Sequence, residues 1–175
     1  MTLYRSLESP IGQLVLVGDG EQLSEILFSR GRQARPPDPD WREAPSAFAA
    51  AADQLEAYFA GRLRRFDLPL APEGTAFRQS AWTALQEIPF GKVMTYAALA
   101  QAIDRPRAIR AVGAANGANP IPIVIPCHRL IGSSRDLTDF GGGLAAKAAL
   151  LRLEGHRIEE RKGRFRWLGP GSLQS

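Results

Sequence analysis

A chain of 175 residues, 45% apolar and 23% charged, is long enough for one compact domain or a small lobe on a main one, and too apolar to be disordered. Its one cysteine and two histidines exclude an internal disulfide and the usual ligand count of a zinc site, so no metal and no cofactor are expected. Charge is uneven: residues 1–74 hold 8 Lys/Arg against 11 Asp/Glu and residues 75–175 hold 14 against 7, so the net +4 hides a basic second half suited to a polyanion such as DNA.

The opening "MTLYRSLESP" has no basic-then-apolar signal pattern, and no apolar run nears the roughly 20 residues of a membrane helix, so the chain is read as cytoplasmic. "QLVLVGDGEQLSEILF" places two apolar runs around a Gly-Asp-Gly turn signal and predicts a hairpin. The Pro-rich, charged "RGRQARPPDPDWREAP" predicts an exposed connector. Residues 46–60 carry Phe48, Ala52, Leu55 and Phe59 at helical spacing, with Ser46 as N-cap and Gly61 as stop signal. "RLRRFDLPLAPEG" reads as a strand and linker. A lobe boundary therefore falls near residue 74, giving an N-terminal lobe over 1–74 and a second lobe over 75–175.

The second lobe reads as mostly helical. A helix capped by Thr75 buries Phe77, Trp82, Leu85 and Ile88. Thr95 opens a short helix with Ala98, Leu99 and Ile103; Asp-Arg-Pro breaks it, and a second helix runs from about Pro106 to Asn116. Helix, tight turn, helix is the pattern of a DNA-binding helix-turn-helix. Ala111, Gly113, Ala114, Ala115 and Gly117 leave one surface of the second helix nearly bald, with Arg110 among them. "GGLAAKAALLRLEG" is an amphipathic helix closed by Gly155, and "GRFRWLG" a last strand. The fold class is α+β: a small sheet and helix, then a helical lobe.

The single thiol, Cys127, stands at the end of "NPIPIVIP" and is followed by His128 and Arg129. A lone cysteine after such a run is on general grounds a small buried hydrophobe. Basic neighbours, however, lower a thiol toward the reactive thiolate. In an extended segment adjacent side chains face opposite ways, so a local turn or a water is required to connect Cys127 with His128. Glu154, ending the last long helix, is a carboxylate able to orient the imidazole. Cysteine, histidine and acid in series form an activated nucleophile, suited to a cysteine hydrolase and to an alkyl acceptor alike.

"IPCHRLIG", "TYAALAQAIDRPRAIRAVGAANGANP" and "GGGLAAKAALLRLEGH", in this order and spacing, resemble the O(6)-alkylguanine-DNA alkyltransferases, also called methylated-DNA–protein-cysteine methyltransferases. The resemblance runs from about Thr75 to His156. It implies a single-turnover DNA-repair protein that flips an alkylated base out of the minor groove and moves the alkyl group irreversibly to its own cysteine. Cys127 corresponds to the acceptor, His128 to the water-mediated base, Glu154 to the acid that polarises the histidine, and Asn119 to a residue bracing the site. Tyr96 corresponds to the donor of a proton to the purine N3, and Arg110 to the finger that replaces the flipped nucleotide. Thr95, Ala111, Gly113 and Ala114 belong to the DNA-binding face. Leu130 and Gly141 correspond to base contacts, and Phe140 stands where the family often has tyrosine on the pocket loop. The implied partner is double-stranded DNA, read by a monomer with cooperative assembly on the duplex as an option; O(6)-alkylguanine is the target and O(4)-alkylthymine a second.

Three other readings compete. An alkyltransferase-like damage sensor lacks the acceptor cysteine, which Cys127 argues against. A transcription regulator needs polar side chains on its recognition helix, and "RAVGAANGAN" offers few. A cysteine hydrolase would turn over repeatedly.

Overall fold

The computed structural model describes residues 1–171. Its first sheet holds β1 (Leu3–Leu7), β2 (Leu14–Gly18), β3 (Leu23–Phe28) and β4 (Arg42–Glu43) in the order β3-β2-β1-β4. β1–β2 and β2–β3 are antiparallel, the latter being the expected hairpin, and β4 runs parallel to β1. Every residue of β2 is buried, because Leu14 and Leu16 enter the main core while Val15 and Val17 pack with Tyr4 and Trp41 on the other face. An unbroken apolar run is how a strand covered on both sides reads. The connector expected to be a loop therefore contains β4 and its cover, Trp41.

The first helix, α1 (Ala49–Phe59), starts later than a Ser46 cap would allow. The Ala47 N–H turns back to Ala44 O at 2.9 Å, and Phe48 takes φ 54° with no side-chain cap. That left-handed conformation costs about 1–2 kcal/mol, and burying the Phe48 ring offsets it with about 1.5–3 kcal/mol. Ala52 and Leu55 face the core as their spacing requires, joined by Tyr58, and Phe59 packs half-buried against the same cluster. The expected strand after Gly61 reduces to one bridge, Leu23 with Leu70.

Thr75 caps α2 (Ala76–Gln86), its Oγ1 accepting from the Arg78 N–H at 3.2 Å. Trp82 of α2 is buried and donates its indole N–H to Ala115 O at 2.8 Å, fastening α2 to α4 (Ile109–Gly117). Between them lie β5 (Met94–Thr95) and α3 (Tyr96–Ala102), capped by Thr95 Oγ1 accepting from the Ala98 N–H at 3.1 Å. α4 begins beyond Pro106 because residues 105–108 form a turn of their own, closed by the Ala108 N–H on Arg105 O at 2.9 Å. A 3-10 turn (Cys127–Arg129) leads into β6 (Leu130–Ile131), parallel to β5. α5 (Leu144–Leu153) and an antiparallel hairpin, β7 (His156–Arg161) with β8 (Arg164–Pro170), complete the described chain. The first hairpin strand has no counterpart among the sequence expectations; Ile158 and Phe165 seat the pair against Ala148 and Leu151.

The architecture is α+β, and one apolar cluster runs from Leu16 and Phe28 of the sheet to Leu99, Ile125 and Cys127. Among the described residues no helix is long and apolar enough to cross a membrane. No group of three or more His, Cys, Asp or Glu among them is placed to hold a metal ion.

Candidate active site

The apolar run before Cys127 is a strained, braced platform. Asn119 is buried; its Oδ1 accepts from the Ile121 N–H at 3.0 Å and its Nδ2 donates to Ile125 O at 2.7 Å. Ile123 has φ 75°, an uncommon conformation for a β-branched residue, and persists because its surroundings bury and over-determine it. Asn116 Nδ2 adds a long contact to Cys127 O at 3.4 Å. The platform ends in the 3-10 turn, where successive side chains separate by about 120° instead of the opposite facing of a strand. This turn takes the Cys127 and His128 side chains off opposite faces, with a water still needed to join Sγ to the imidazole.

Glu154, the cap residue of α5, is 1% exposed and receives four bonds. Tyr58 Oη–H donates to its Oε2 at 2.6 Å, and His128 Nε2 lies 2.6 Å from the same oxygen. Arg129 donates Nε–H to Oε1 at 2.7 Å and Nη2–H to Oε2 at 3.1 Å, while its Nη1–H goes to Ile88 O at 2.6 Å. Burial opposes ionisation of Glu154, but His128 and the Arg129 guanidinium outweigh it and hold the carboxyl well below its ordinary range. An anionic Glu154 accepts only, so the His128 proton sits on Nε2. His128 Nδ1 is then a bare acceptor, fully buried and without a protein partner.

The charge state of the thiol differs from the sequence expectation. Burial pushes Cys127 above its ordinary 9.0, against a side-chain hydrogen bond from Asn119 and the positive charge of Lys147. Arg129 does not lower it, being committed to Glu154 and Ile88. His128 is itself pushed below its ordinary 6.5 by burial, against the pull of Glu154. The resting pair at neutral pH is a thiol beside a neutral imidazole. Lys147, fully buried on α5, donates Nζ–H to Thr138 O at 2.8 Å, and burial brings it down to about 8.

Tyr96 opens α3 with its hydroxyl 3.0 Å from Thr138 Oγ1, and burial pushes its phenol up, so it stays protonated. Its ring lies against the bald part of α4: a methyl built on Gly113 would stand 3.9 Å from Tyr96 Cδ1. On α4, Arg110, Ala111 and Ala114 are exposed, Gly113 is half-buried, and Val112, Ala115 and Asn116 are buried. Ala115 is thus packing against α2, whereas Ala111 and Ala114 present short side chains to solvent beside Arg110. Thr95 serves as the α3 cap. Leu130 is fully buried in β6, and Phe140 is an interlobe core residue, edge-on to Phe28 at 5.4 Å and 61°. Gly141 O accepts from the Gln33 N–H at 3.0 Å.

Cys127, Asn119, His128 and Glu154 therefore form one buried cluster, with Tyr96 linked to Lys147 through Thr138; Arg110 stands apart on the α4 surface. Tyr58, Asn116 and Lys147 join the site from positions that carried no functional signal of their own. Arg129, marked by its adjacency to the Cys-His pair as a cation for the thiol, joins it instead as a partner of Glu154.

Two family models divide the chain. The 6-O-methylguanine DNA methyltransferase, ribonuclease-like domain matches residues 2–72, and the 6-O-methylguanine DNA methyltransferase, DNA binding domain matches residues 76–156. A methylated-DNA–protein-cysteine methyltransferase of Methanosarcina acetivorans is 49% identical over 87% of this chain and 97% of its own. One from Mycobacterium tuberculosis is 48% identical over 90% and 94%. The crystal structure of the Mycobacterium tuberculosis O6-methylguanine methyltransferase superposes with a TM-score of 0.82 at 48% identity, covering 88% of this chain and 93% of that one. The same protein in complex with DNA gives 0.82 at 48%, covering 87% and 92%. With both halves matched in order and the Cys-His-Glu cluster in place, this chain belongs to the 6-O-methylguanine DNA methyltransferase family.

Proposed function

We propose that this protein repairs double-stranded DNA by moving the alkyl group of O(6)-alkylguanine to Cys127 Sγ, once per molecule. The observation that carries the reading is the buried His128, whose Nε2–H is committed to Glu154 and whose bare Nδ1 belongs to the residue following the thiol. The Cys127 proton passes through one water to Nδ1. Sulfur then bonds to the alkyl carbon, the carbon–O(6) bond breaks, and its electron pair stays on the purine. Tyr96 Oη–H supplies a proton at N3 as guanine leaves, and the proton held by His128 passes through solvent to the resulting Tyr96 phenoxide, which restores both side chains. Lys147 and Asn119 stabilise the transient thiolate, because burial pushes the thiol too high for a standing anion. A thioether has no route to hydrolysis, so the acceptor is consumed.

The lesion is stacked inside the duplex, and extruding it costs a few kcal/mol. The short side chains of Ala111, Gly113 and Ala114 let α4 approach the minor groove closely, and Arg110 fills the gap in the stack. Replacing Arg110 with alanine is expected to slow transfer from a duplex at least about tenfold, a share of that unstacking cost. Reaction with free O(6)-alkylguanine should stay within about twofold of the parent on the same scale. Equal losses in the two assays would remove Arg110 from the flipping step.

The reading is tested by mass spectrometry of the protein after mixing with excess methylguanine-containing duplex. One methyl group on the peptide holding Cys127, and a single stoichiometric burst, are expected. Methyl on another residue, or many equivalents processed without inactivation, would overturn it. Steady turnover of an ester or amide would mark a cysteine hydrolase instead.

A further inference from the structure

The connector between β3 and β4 does more than cross the surface. Gly31, at φ 92°, lies against the Gly141–Gly143 run so closely that a methyl built on it would fall 2.4 Å from Gly142 C, 2.6 Å from Gly141 O and 2.6 Å from Gly143 N. Two residues on, the Gln33 N–H donates to Gly141 O at 3.0 Å. The Gln33 side chain donates Nε2–H to Gly117 O at 2.7 Å, on the last residue of α4. Arg32 pairs with Asp139 at 2.8 Å, but both side chains are at least half exposed, and such a pair contributes little.

We propose that residues 31–33 form a strap that sets the width of the alkyl pocket, with Gly31 and Gln33 as positioning residues for substrate selection. The proposal rests on the alkyltransferase reading and concerns which alkyl groups that site accepts. The segment 138–143 is held on its inner side by the Tyr96 hydroxyl and Lys147 Nζ, both on Thr138. On its outer side stand Gly31, Gln33 and, behind Phe140, the ring of Phe28. Two of the three consecutive glycines are thus explained by close packing, since side chains on Gly141 and Gly142 would run into the side chains of Gln33 and Phe28, while Gly143 is required by its φ of 94°. Because Gln33 reaches both Gly141 and Gly117, the strap also fixes the loop relative to the DNA-binding helix. Loop position relative to the sulfur decides which alkyl carbon meets it in line, and displacement by about 1 Å is enough to change a rate strongly.

Two substitutions push the loop in opposite directions. In Gly31→Ala the new methyl meets backbone that must move away from the strap, toward the pocket, narrowing it. In Gln33→Ala the loop loses its outer tether to α4 and relaxes outward, widening the pocket. The readout is the ratio of second-order rates for O(6)-benzylguanine and O(6)-methylguanine in the same duplex, with folding of each variant checked by thermal melting. Gln33→Ala is expected to raise the benzyl-to-methyl ratio about threefold, the scale of one exposed hydrogen bond. Gly31→Ala is expected to lower it by about tenfold, and Gln33→Lys, which keeps an N–H donor, to stay near the parent ratio. A ratio unchanged in folded Gln33→Ala, or shifts in the same direction for both variants, would overturn the proposal. Absence of methyl uptake by the parent itself would instead count against the alkyltransferase reading, and it is read in the same assay before any variant is compared.

Discussion

Replacing Glu154 with glutamine is expected to cost about 3–5 kcal/mol of stability, the loss typical of breaking a buried charged pair from one side. Arg129 is 6% exposed, and its guanidinium would face a neutral amide, with Ile88 O as its other acceptor. In a domain of this size the melting temperature should fall by about 10 °C. The chemistry should suffer more. A carboxylate forces the proton of His128 onto Nε2; an amide that turns its N–H₂ toward the ring makes Nε2 the acceptor and places the proton on Nδ1. The base is then in the wrong tautomer, an error that costs a histidine-dependent nucleophile about 10⁴-fold. The pH dependence separates this charge effect from lost packing. The folded Glu154 carboxyl lies below its ordinary 4.5, so its stabilisation is fully present above that value and is lost as pH falls through the folded value. Urea melts from pH 7 down to pH 3 should therefore fall less steeply for Glu154→Gln than for the parent. A loss under about 1 kcal/mol at neutral pH, with parallel acid limbs, would mean that no charged carboxylate holds Arg129.

The features legible in the sequence were those carried by neighbours in the chain or by a regular period. Thr75 and Thr95 cap their helices as their positions suggest, and the Gly-Asp-Gly hairpin forms. Cys127, His128 and Glu154 group as their chemistry suggests. What escaped depends on partners far along the chain. Nothing in the α1 period tells that the Tyr58 hydroxyl meets Glu154, 96 positions away. Lys147 reads as the polar side of an amphipathic helix; in the fold its long stem carries the ammonium inward to Thr138 O. Arg129 reads as a cation for the thiol, yet geometry gives it to Glu154. The glycine triplet reads as flexibility because the side chains that crowd it, Phe28 and Gln33, lie more than a hundred residues upstream. Ser46 loses the α1 cap because burying Phe48 outweighs one exposed hydrogen bond. β7, "HRIEER", is too polar to announce itself as a strand and exists through its pairing with β8.

Substituting serine for Cys127 is expected to abolish alkyl transfer, by at least about 10⁴-fold, the scale on which an enzyme loses rate when its nucleophile is removed. Serine keeps the shape and a hydrogen-bonding group for Asn119, so the protein should lose no more than about 1–2 kcal/mol. It does not keep the acidity. His128, already held below 6.5 by burial, is too weak a base for an alcohol but adequate for a thiol whose anion Asn119 and Lys147 can share. The same assignments shape the pH profile of the parent. Transfer needs His128 neutral, so the rate should decline only on the acid side of 6.5. It needs Lys147 charged, so a second decline is expected above about 8. The serine variant should stay inactive across that whole range while still binding lesion-containing duplex within about threefold of the parent, because Arg110, Ala111, Ala114 and Tyr96 are untouched. If the variant transferred methyl at more than about one per cent of the parent rate, the sulfur would not be the acceptor. If binding fell together with transfer, the thiol would be part of base recognition, and the separation of an α4 docking face from a Cys127 reaction centre would be wrong.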